Sequence, residues 1–314
     1  MTPAAADGPG PGSSAVLVTG GAGFIGTAVL RALSAGEHTV RVVDRSRPRD
    51  ASVTSIVGDL RDPEVRCAAV TEATGTIVHL AAATSVVGSI SDPARVFDDN
   101  VAVTAALLEL ARVRGVRRFV LASTNAVVGS AADGVITERS PLGPLTPYGG
   151  TKAACEMLLS SYGGSYDLAP CALRFTNVYG VGMRNKDSLV ARLMRAALSG
   201  ATLQVYGDGG QRRDFIHVTD VAAAVRLAVE RAWTGTVVVG SGTSSSVLEL
   251  VDAVRRVSGT ELPVEHVPAR DGEMRAVDVD ITRARGLGFE PRMPLDDGLA
   301  SLWAEARETW GEAS

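Results

Sequence analysis

Short apolar runs alternate with stretches of helical periodicity along most of the chain. Ala15–Thr19 is apolar almost throughout, which is typical of a buried strand. Phe24–Ala35 predicts a helix, because Ile25, Val29 and Leu33 recur on one face. Further strands are predicted at Val40–Asp44, Ile77–Leu80, Arg118–Ala122, Cys171–Phe175 and Val237–Val239, and further helices near Pro93–Arg114, Tyr148–Tyr162, Ser188–Leu198 and Val221–Arg231. Such alternation indicates a parallel sheet with helices on both faces.

A glycine-rich turn follows the first predicted strand. The segment TGGAGFIG runs from Thr19 to Gly26 and leads directly into the first predicted helix. Gly20, Gly23 and Gly26 can make a tight turn, let the backbone approach a pyrophosphate and allow close contact between helix and strand. The helix N-terminus would supply free N–H groups to the same anion. We therefore expect a dinucleotide site, since strand, loop and helix occur in the required order.

Asp44 bears on which dinucleotide is bound. It ends the second predicted strand, 18 residues after Gly26. A carboxylate there can accept hydrogen bonds from the adenosine ribose and would repel a 2′-phosphate, which favours NAD over NADP. Arg45 and Arg47 argue the other way, because an arginine at this place could bind that phosphate. The sequence therefore predicts NAD and leaves NADP open.

These features predict an α/β protein with a Rossmann-type doubly wound parallel sheet. In GDLRD, Asp59 could meet the adenine amino group and Leu60 could pack on the ring. After Asn177 the pattern becomes irregular and richer in Gly and Pro, which predicts a smaller C-terminal substrate-binding domain. We expect residues 1–13 to be a disordered tail, 14–176 with about 213–240 to form the NAD-binding domain, and about 177–212 with 241–314 to form the smaller one.

Composition and charge narrow the function further. With 46% hydrophobic and 21% charged residues, the chain of 314 residues is typical of a globular protein. A net charge of −4 does not favour nucleic acid as a partner, and no apolar run reaches the roughly 20 residues that span a bilayer. The N-terminal MTPAAADGPGPGSS lacks the regions of a secretory signal. Cys67, Cys155 and Cys171 show no paired spacing, which predicts a reducing, cytoplasmic compartment, and the scattered histidines predict no metal site.

A tyrosine and a lysine form a candidate proton-transfer pair. Tyr148 and Lys152 make the pattern YxxxK at the start of a predicted helix, so both side chains lie on one face. An ammonium close to a phenol favours the phenolate and lowers the pKa of the tyrosine towards neutral pH. Pairs with this spacing also arise by chance in helices, but this pair follows a predicted nucleotide-binding half. We therefore expect it to be catalytic.

Six motifs occur in order along the chain. They are TGGAGFIG at Thr19–Gly26, GDLRD at Gly58–Asp62, HLAA at His79–Ala82, YGGTK at Tyr148–Lys152, LRFTNVYG at Leu173–Gly180 and GDGGQRRDFIHVTDVA at Gly207–Ala222. Together they resemble the extended short-chain dehydrogenases/reductases that act on nucleotide sugars, above all the UDP-sugar 4-epimerases. The resemblance covers nearly all of the chain beyond the tail. It implies NAD as cofactor and a UDP-sugar as substrate.

The resemblance also implies roles for individual residues. It assigns Thr124, Tyr148 and Lys152 as a catalytic triad, in which Thr124 hydrogen-bonds the reacting sugar oxygen. The implied NAD-binding residues are Gly20, Gly23, Phe24, Ile25, Gly26, Asp44, Asp59, Leu60, Leu80, Ala81, Ala82 and Asn100, with Tyr148 and Lys152. The implied substrate-binding residues are Thr84, Thr124, Asn125, Asn177, Arg184, Val205, Gln211, Arg213 and Arg270. Arginines suit phosphate oxygens, which their planar fork can bind in pairs.

A homodimer is a further expectation. The helices starting near Pro93 and at Tyr148 carry more small and apolar residues than one core needs, and related enzymes pair these helices across a two-fold interface. The residues concerned are Ala105, Ala106, Leu108, Ala153, Ala154, Met157 and Leu158.

Two departures from the family pattern carry information. Val128 stands where the family has a tyrosine beside Gly129, so any role of that phenol is lost. The related 4,6-dehydratases carry an Asp-Glu pair directly after the threonine, whereas Asn125 and Ala126 follow it here. Neither side chain can remove and return a proton, which disfavours dehydration.

The implied reaction is inversion at sugar C4, and Arg184 bears on which sugar is used. In 4-epimerases of UDP-glucuronate, an arginine at this offset from Asn177 meets the sugar carboxylate, so we expect UDP-glucuronate ahead of UDP-glucose and UDP-galactose. Against this, those enzymes usually carry Thr at the position of Asn177. The alternatives are decarboxylation of a UDP-hexuronate, reduction of a 4-keto nucleotide sugar and, more distantly, a non-catalytic NAD-binding sensor. The intact triad argues against a sensor, which needs no acid or base.

Overall fold

A computed structural model describes residues 15–36, 38–129, 134–269 and 276–311 of the protein. Its strands, in chain order, are β1 (Ala15–Thr19), β2 (Val40–Asp44), β3 (Thr54–Val57), β4 (Thr74–His79), β5 (Arg118–Thr124), β6 (Val135–Ile136), β7 (Ala169–Phe175), β8 (Asn177–Tyr179), β9 (Leu203–Tyr206), β10 (Arg212–His217), β11 (Gly235–Val239), β12 (Ser244–Ser246), β13 (Val264–Val267) and β14 (Ala276–Val279). Its α-helices are α1 (Phe24–Ser34), α2 (Pro63–Ala69), α3 (Val86–Ser91), α4 (Pro93–Phe97), α5 (Val103–Val113), α6 (Pro147–Ser165), α7 (Leu189–Ser199), α8 (Val218–Glu230), α9 (Val247–Ser258), α10 (Thr282–Gly286) and α11 (Leu295–Thr309). A π-helical turn lies at Asp98–Ala102 and a 3₁₀ turn at Asn125–Val127.

Seven parallel strands form the large sheet, in the order β3-β2-β1-β4-β5-β7-β11. The chain starts in the middle at β1, moves outwards to β3 and then returns to build the other half from β4. This order confirms the expected α/β, doubly wound fold. The carboxyl ends of β1 and β4 lie side by side, because Thr19 pairs with His79. The segments after these two strands therefore meet at the point where ligands bind in such sheets.

Helices cover both faces of this sheet. Val16 and Val18 of β1 pack in one core with residues of α1 and α8, whereas Leu17 packs in another with residues of α2, α5 and α6. Successive residues of a strand point to opposite faces. A strand covered on both faces must therefore be apolar at every position, which explains the continuous apolar run at Ala15–Thr19. Each fully buried side chain of this kind contributes about 1.5–3 kcal/mol.

The second half of the chain builds a smaller domain with its own core, to which α7, α9 and α11 contribute. In its five-stranded sheet, β10 pairs antiparallel with β12 and parallel with β8 and β14. Within the segment expected to rejoin the NAD-binding domain, α8 and β11 pack on or in the large sheet, whereas β10 belongs to the smaller one. The domain bounds stay a prediction, and the expected tail at residues 1–13 lies outside the described residues.

The helix expected over Pro93–Arg114 is interrupted. α4 passes into the π-helical turn at Asp98–Ala102, and α5 begins at Val103. A π-helical turn holds more residues than an α-helical one, so it shifts the phase of the hydrophobic pattern without ending it. The turn buries Asp99 and Asn100, and both side chains make contacts beside the site described below.

α6 begins at the YxxxK motif. The hydroxyl of Thr146 accepts the N–H of Gly149 at 3.2 Å, and Pro147 occupies the first helical position. Both features are typical of helix N-termini, and they place Tyr148 and Lys152 in the first two turns. Among the described helices, none is long and apolar enough to cross a membrane.

Candidate active site

The glycine loop after β1 is closely packed. Gly20 has a φ of +74°, and a Cβ added to it would lie 2.6 Å from the backbone nitrogen of Ala81 after β4. A Cβ on Gly26 would lie 2.1 Å from the carbonyl oxygen of Gly20. Side chains at these positions would collide with backbone that cannot move aside. Only glycine therefore brings the loop, the start of α1 and the segment after β4 this close together.

A cavity of about 610 Å³ lies along these segments, at the carboxyl ends of the strands. We call it the first cavity. Its lining includes Gly20, Gly23, Phe24, Ile25, Gly26, Asp44, Asp59, Leu60, Leu80, Ala81, Ala82, Tyr148 and Lys152. These are all the residues that the sequence predicts to hold NAD, except Asn100. A narrow loop, a helix N-terminus and a carboxylate at the end of β2 are the parts that a dinucleotide needs.

Arg45, which left NADP open in the sequence, is engaged by two carboxylates. Its guanidinium lies 3.3 Å from Asp59 and donates to Asp99 at 3.0 Å. The hydrogen bond from Arg61 to Asp59 lowers the pKa of that carboxyl to about 2, so Asp59 is ionised at neutral pH. Because two anions already hold Arg45, its charge is not available to a 2′-phosphate without breaking these contacts.

Asn100 is a buried residue that binds two segments beside the first cavity. Its amide accepts the N–H of Ala83 at 2.8 Å and donates to the carbonyl of Ala83 at 3.1 Å. It also donates to the hydroxyl of Thr151 on α6 at 3.0 Å. The side chain is buried and does not line either cavity of the described part of the chain. Its predicted contact with NAD stays a prediction, while its contacts show that it ties the segment after β4 to α6.

His79, noted in the sequence only within HLAA, forms a chain of buried hydrogen bonds. The hydroxyl of Thr104 donates to the carbonyl of Asn100 at 2.6 Å, so its oxygen accepts Nε2–H of His79 at 3.1 Å. Nδ1 of His79 then accepts the hydroxyl of Thr19 at 2.7 Å, and Thr19 accepts the N–H of Ala81. Burial lowers the pKa of His79 to about 3, which keeps the ring neutral. The ring thus holds the ends of β1 and β4 together as a fixed tautomer.

The three residues of the expected triad come from two elements. Thr124 ends β5, and Tyr148 and Lys152 lie on α6. Nζ of Lys152 donates to the carbonyl of Ala122 at 2.9 Å, and only 3% of this residue is exposed. Burial lowers the pKa of this ammonium. The structure therefore joins α6 to β5 through the lysine and brings both next to the first cavity.

Burial is the main influence on the pKa of the phenol. Burial raises the pKa of Tyr148 to about 12, and the group that opposes this is Thr124, through a hydrogen bond. Lys152 is not among the groups that shift this pKa, and its ammonium donates to the Ala122 carbonyl. The expected lowering of this pKa by Lys152 stays a prediction. A cationic group next to the phenol would be needed to lower its pKa towards neutral pH.

A buried ion pair that the sequence reading missed lies behind the triad. Arg174 of β7 binds Glu156 of α6 through Nε at 3.0 Å and Nη2 at 2.8 Å, and Ser123 donates to the same carboxylate. All three side chains are buried. Removal of one partner of such a pair costs about 3–5 kcal/mol, since a buried charge is left alone. The signal in the sequence was the spacing of Glu156, four residues after Lys152 on the same helix face.

A second cavity of about 670 Å³ adjoins the first and reaches into the smaller domain. Of the residues predicted to bind substrate, it is lined by Thr84, Thr124, Asn177, Val205, Gln211 and Arg213. Asn125 and Arg184 are not among its lining residues, and Arg270 lies outside the described residues. Tyr148, Thr84 and Lys186 line both cavities, so the two meet at the phenol.

Buried contacts position the residues of the second cavity. The Asp214 carboxylate accepts a hydrogen bond from the hydroxyl of Thr176 at 2.6 Å. The backbone carbonyl of Asp214 accepts one from Nδ2 of Asn177 at 2.9 Å. The same carboxylate accepts the hydroxyl of Ser241 at 2.8 Å. Nε2 of Gln211 donates to the carbonyl of Tyr206 at 2.6 Å. These bonds hold β8 against β10 and tie Gln211, just before β10, to the end of β9.

Comparisons with known proteins agree with this architecture. The family model described as "NAD dependent epimerase/dehydratase family" matches residues 16–240. The chain is 35% identical to the UDP-glucose 4-epimerase of Mycolicibacterium smegmatis, over 90% of this chain and 96% of that protein. It is also 35% identical to the low-salt glycan biosynthesis protein Agl12 of Haloferax volcanii, over the same shares of the two chains. A dTDP-glucose 4,6-dehydratase of Streptomyces niveus is 32% identical, over 95% of this chain and 94% of that protein.

A solved structure has the same fold. MoeE5 in complex with UDP-glucuronic acid and NAD superimposes with a TM-score of 0.86 at 36% identity, over 94% of this chain and 99% of that one. MoeE5 is also known in complex with UDP-glucose and NAD, with a TM-score of 0.87. These complexes and the family model show that the cofactor is NAD.

Proposed function

The chain belongs to the NAD-dependent epimerase/dehydratase family, and we propose that it inverts C4 of a UDP-sugar, with UDP-glucuronate preferred over UDP-glucose. The observation that carries this proposal is the position of Tyr148, which lines both cavities. A group that moves a proton on the sugar must face the cofactor and the substrate at once. Thr124, on the second cavity, supports the same role because its hydroxyl can bond the sugar oxygen before and after oxidation.

The proposed reaction needs no net oxidant. When bound, NAD⁺ would supply a hydride acceptor for C4 and, once reduced, the hydride donor. Once a cation beside it has favoured its ionised form, the Tyr148 phenol takes the proton of the 4-hydroxyl, which leaves a 4-keto sugar, and returns that proton after the sugar has turned over in the pocket. Lys152 holds α6 against β5 through the Ala122 carbonyl, so the phenol keeps its place while the sugar moves. The cofactor is therefore regenerated in each turnover.

The residues after Thr124 support epimerisation over dehydration. Asn125 and Ala126 begin the 3₁₀ turn, and the Thr124 hydroxyl accepts the N–H of Ala126 at 3.2 Å. An amide and a methyl group cannot remove the proton from C5 and return one at C6, which dehydration requires. Without this elimination, return of the hydride to C4 stays open to the 4-keto sugar.

The residues that line the second cavity suit the binding of a nucleoside diphosphate sugar. Its lining includes Asn177 on β8, Val205 on β9, Gln211 just before β10 and Arg213 on β10. We propose that Arg213 and Asn177 bind the diphosphate and that Val205 and Gln211 border the uridine. The similarity to MoeE5, which is known in complex with UDP-glucuronic acid and with UDP-glucose, supports a UDP-sugar as substrate.

We also propose a homodimer. α3, α4 and α5 pack against α6, and these helices expose apolar side chains, among them Val87, Ile90, Phe97, Val113 and Met157. Two residues that the sequence assigned to the shared surface, Leu108 and Ala153, are instead buried in the core of the single chain. In the proposed interface, the exposed apolar residues therefore take the place of Leu108 and Ala153. Met157 is the member of this exposed set that the sequence analysis also named.

The proposed function is tested by product identification. The purified protein is incubated with UDP-glucuronate or UDP-glucose and a small amount of NAD, and proton NMR identifies the sugar formed. Formation of the 4-epimer supports the proposal. Formation of a 4-keto-6-deoxy sugar or of a pentose would replace it by dehydration or decarboxylation.

A further inference from the structure

Lys186 is the charged residue at which the two cavities meet. Among the described residues, the second cavity is lined by four charged side chains, Lys186, Asp187, Arg192 and Arg213, and Lys186 alone also lines the first. Asp187 and Arg192 lie 3.7 Å apart and offset each other. Lys186 thus brings a cation to the boundary between the two cavities, which Tyr148 also lines.

The ammonium of Lys186 has a neutral partner. Nζ donates to the hydroxyl of Thr84 at 3.3 Å, and within the described ranges it makes no ion pair. Burial lowers the pKa of Lys186. The partly buried ammonium lies beside a hydroxyl and has no carboxylate to offset its charge. An anionic ligand would stabilise its charged form, because an opposite charge offsets the cost of burial.

The position of Lys186 is held from both sides. Its N–H donates to the Met183 carbonyl at 2.8 Å, and Nη1 and Nη2 of Arg195 both donate to the Lys186 carbonyl at 3.2 Å. On the opposite side, Thr84 follows Ala83, whose N–H and carbonyl are both bound by Asn100. The contact between Lys186, in the loop before α7, and Thr84, after β4, is therefore held in place on both sides.

The chemistry of the sugar identifies which anion this cation meets. In a UDP-hexose the diphosphate is on C1, across the ring from C4, whereas C6 is attached to C5, the neighbour of C4. With C4 at Tyr148, the diphosphate extends towards Arg213 in the second cavity, and the C6 substituent stays close to the junction with the first. A cation at the junction is thus placed for C6 and not for the diphosphate.

We propose that Lys186, and not Arg184, reads the C6 carboxylate of the substrate. The proposal rests on the proposed function, since it takes C4 to lie at Tyr148. The backbone carbonyl of Arg184 accepts a hydrogen bond from Arg195 at 3.2 Å, and Arg184 is absent from the described lining of both cavities. Lys186 lies two residues after Arg184 in the same loop. It supplies the positive charge that the sequence analysis assigned to Arg184 from its distance to Asn177.

The experiment compares Lys186→Met with Arg184→Met as a matched control. Dissociation constants of UDP-glucuronate and UDP-glucose are measured by calorimetry on the NAD-loaded proteins, together with kcat/KM for each sugar and the dissociation constant of NAD. For Lys186→Met we expect the preference for UDP-glucuronate over UDP-glucose to fall by about tenfold or more in both quantities, the scale of one charge-assisted contact. For Arg184→Met the preference should stay within about twofold of the wild type. Lys186→Arg, which keeps the charge, should restore part of it.

Each other outcome overturns the assignment. Equal losses for both sugars in Lys186→Met would mean that the ammonium binds the diphosphate. A weaker NAD complex with an unchanged sugar preference would mean that it binds the cofactor. A selective loss in Arg184→Met would return the role to Arg184. A wild type that inverts no UDP-sugar refutes the proposed function instead, and the ratio of the two calorimetric constants still decides the role of Lys186.

Discussion

The carboxylate of Asp44 accepts the backbone N–H of Ala22 at 3.0 Å, which ties the end of β2 to the glycine loop. The other carboxylate oxygen accepts the N–H of Ser46 at 3.0 Å. Asp44 lines the first cavity, while the neighbouring Arg45 is bound by Asp59 and Asp99. A cofactor with a 2′-phosphate would thus meet a fixed negative charge, while Arg45 is already held by two carboxylates.

We predict that Asp44→Ala weakens NAD binding and raises the affinity for NADP relative to NAD by about tenfold or more, because the repelling charge is lost. Asp44→Asn is the matched control, since the amide oxygen can still accept the Ala22 N–H. It should keep the loop in place and show most of the same change in preference. Titration of both cofactors measures this, and an unchanged preference in both variants would remove Asp44 from cofactor selection.

The phenol of Tyr148 is the second test. Tyr148→Phe should lower kcat by at least about a hundredfold, the scale of a lost acid/base group, and leave NAD binding close to that of the wild type. Tyr162→Phe, on the same helix but outside both described cavities, is the control and should keep its turnover. If Tyr148→Phe turned over like the wild type, another group would have to move the proton.

The glycine loop and the YxxxK pair could be predicted because each is encoded locally. A tight turn needs glycine at Gly20 whatever surrounds it, and the first turns of one helix bring Tyr148 and Lys152 together wherever that helix lies. The doubly wound sheet followed for the same reason, since its strands are continuous apolar runs between helices of clear periodicity.

The parts that the sequence did not predict depend on contacts between distant segments. His79 is joined to Thr104 across 25 residues, and Glu156 to Arg174 across 18. The break in the helix after Pro93 changes only the phase of the apolar pattern. Lys186 differs from Arg184 only in which side chain faces the cavity, a result of how the loop before α7 packs. The sequence shows that Glu156 shares a helix face with Lys152, but no spacing encodes which distant residue each of these side chains meets.

Buried His79 makes stability depend on pH. Its pKa falls from 6.5 to about 3 on folding, so between these values the unfolded state binds one more proton than the folded state. The contribution of neutral His79 to the free energy of unfolding is complete above pH 6.5. It is lost as the pH falls below 6.5, by about 1.4 kcal/mol per pH unit. We predict that His79 accounts for about 2 kcal/mol of the loss in unfolding free energy between pH 7 and pH 5.

Urea unfolding at these two pH values checks the prediction. In His79→Gln the amide can still bond Thr19 and Thr104 but does not titrate, so the loss should be smaller by about 2 kcal/mol than in the wild type. His266→Gln, at an exposed histidine, serves as the control and should lose as much as the wild type. Equal losses in all three proteins would show that His79 is not buried as a neutral ring.

The proposed dimer depends on the exposed apolar residues of α3 to α6. We predict a dimer at micromolar concentration and, for Met157→Glu, a shift to monomer, because a carboxylate on a side chain that is 60% exposed in the single chain would be buried in the interface. Val57→Glu, at an exposed apolar residue on the edge strand β3, should remain dimeric. Light scattering measures both, and a monomeric wild type would refute the interface.

The central claim is that this protein inverts C4 of a UDP-sugar and consumes no NAD, and product analysis tests it most directly. The wild-type protein is incubated with UDP-glucuronate, with UDP-glucose as the second substrate, and with NAD far below the sugar concentration, while proton NMR follows the sugar and absorbance follows NADH. The account predicts that the 4-epimer accumulates to an equilibrium mixture over many turnovers per NAD, with no build-up of NADH and faster conversion of the uronate. Conversion that stops at one turnover per NAD, or any product other than the 4-epimer, would contradict it.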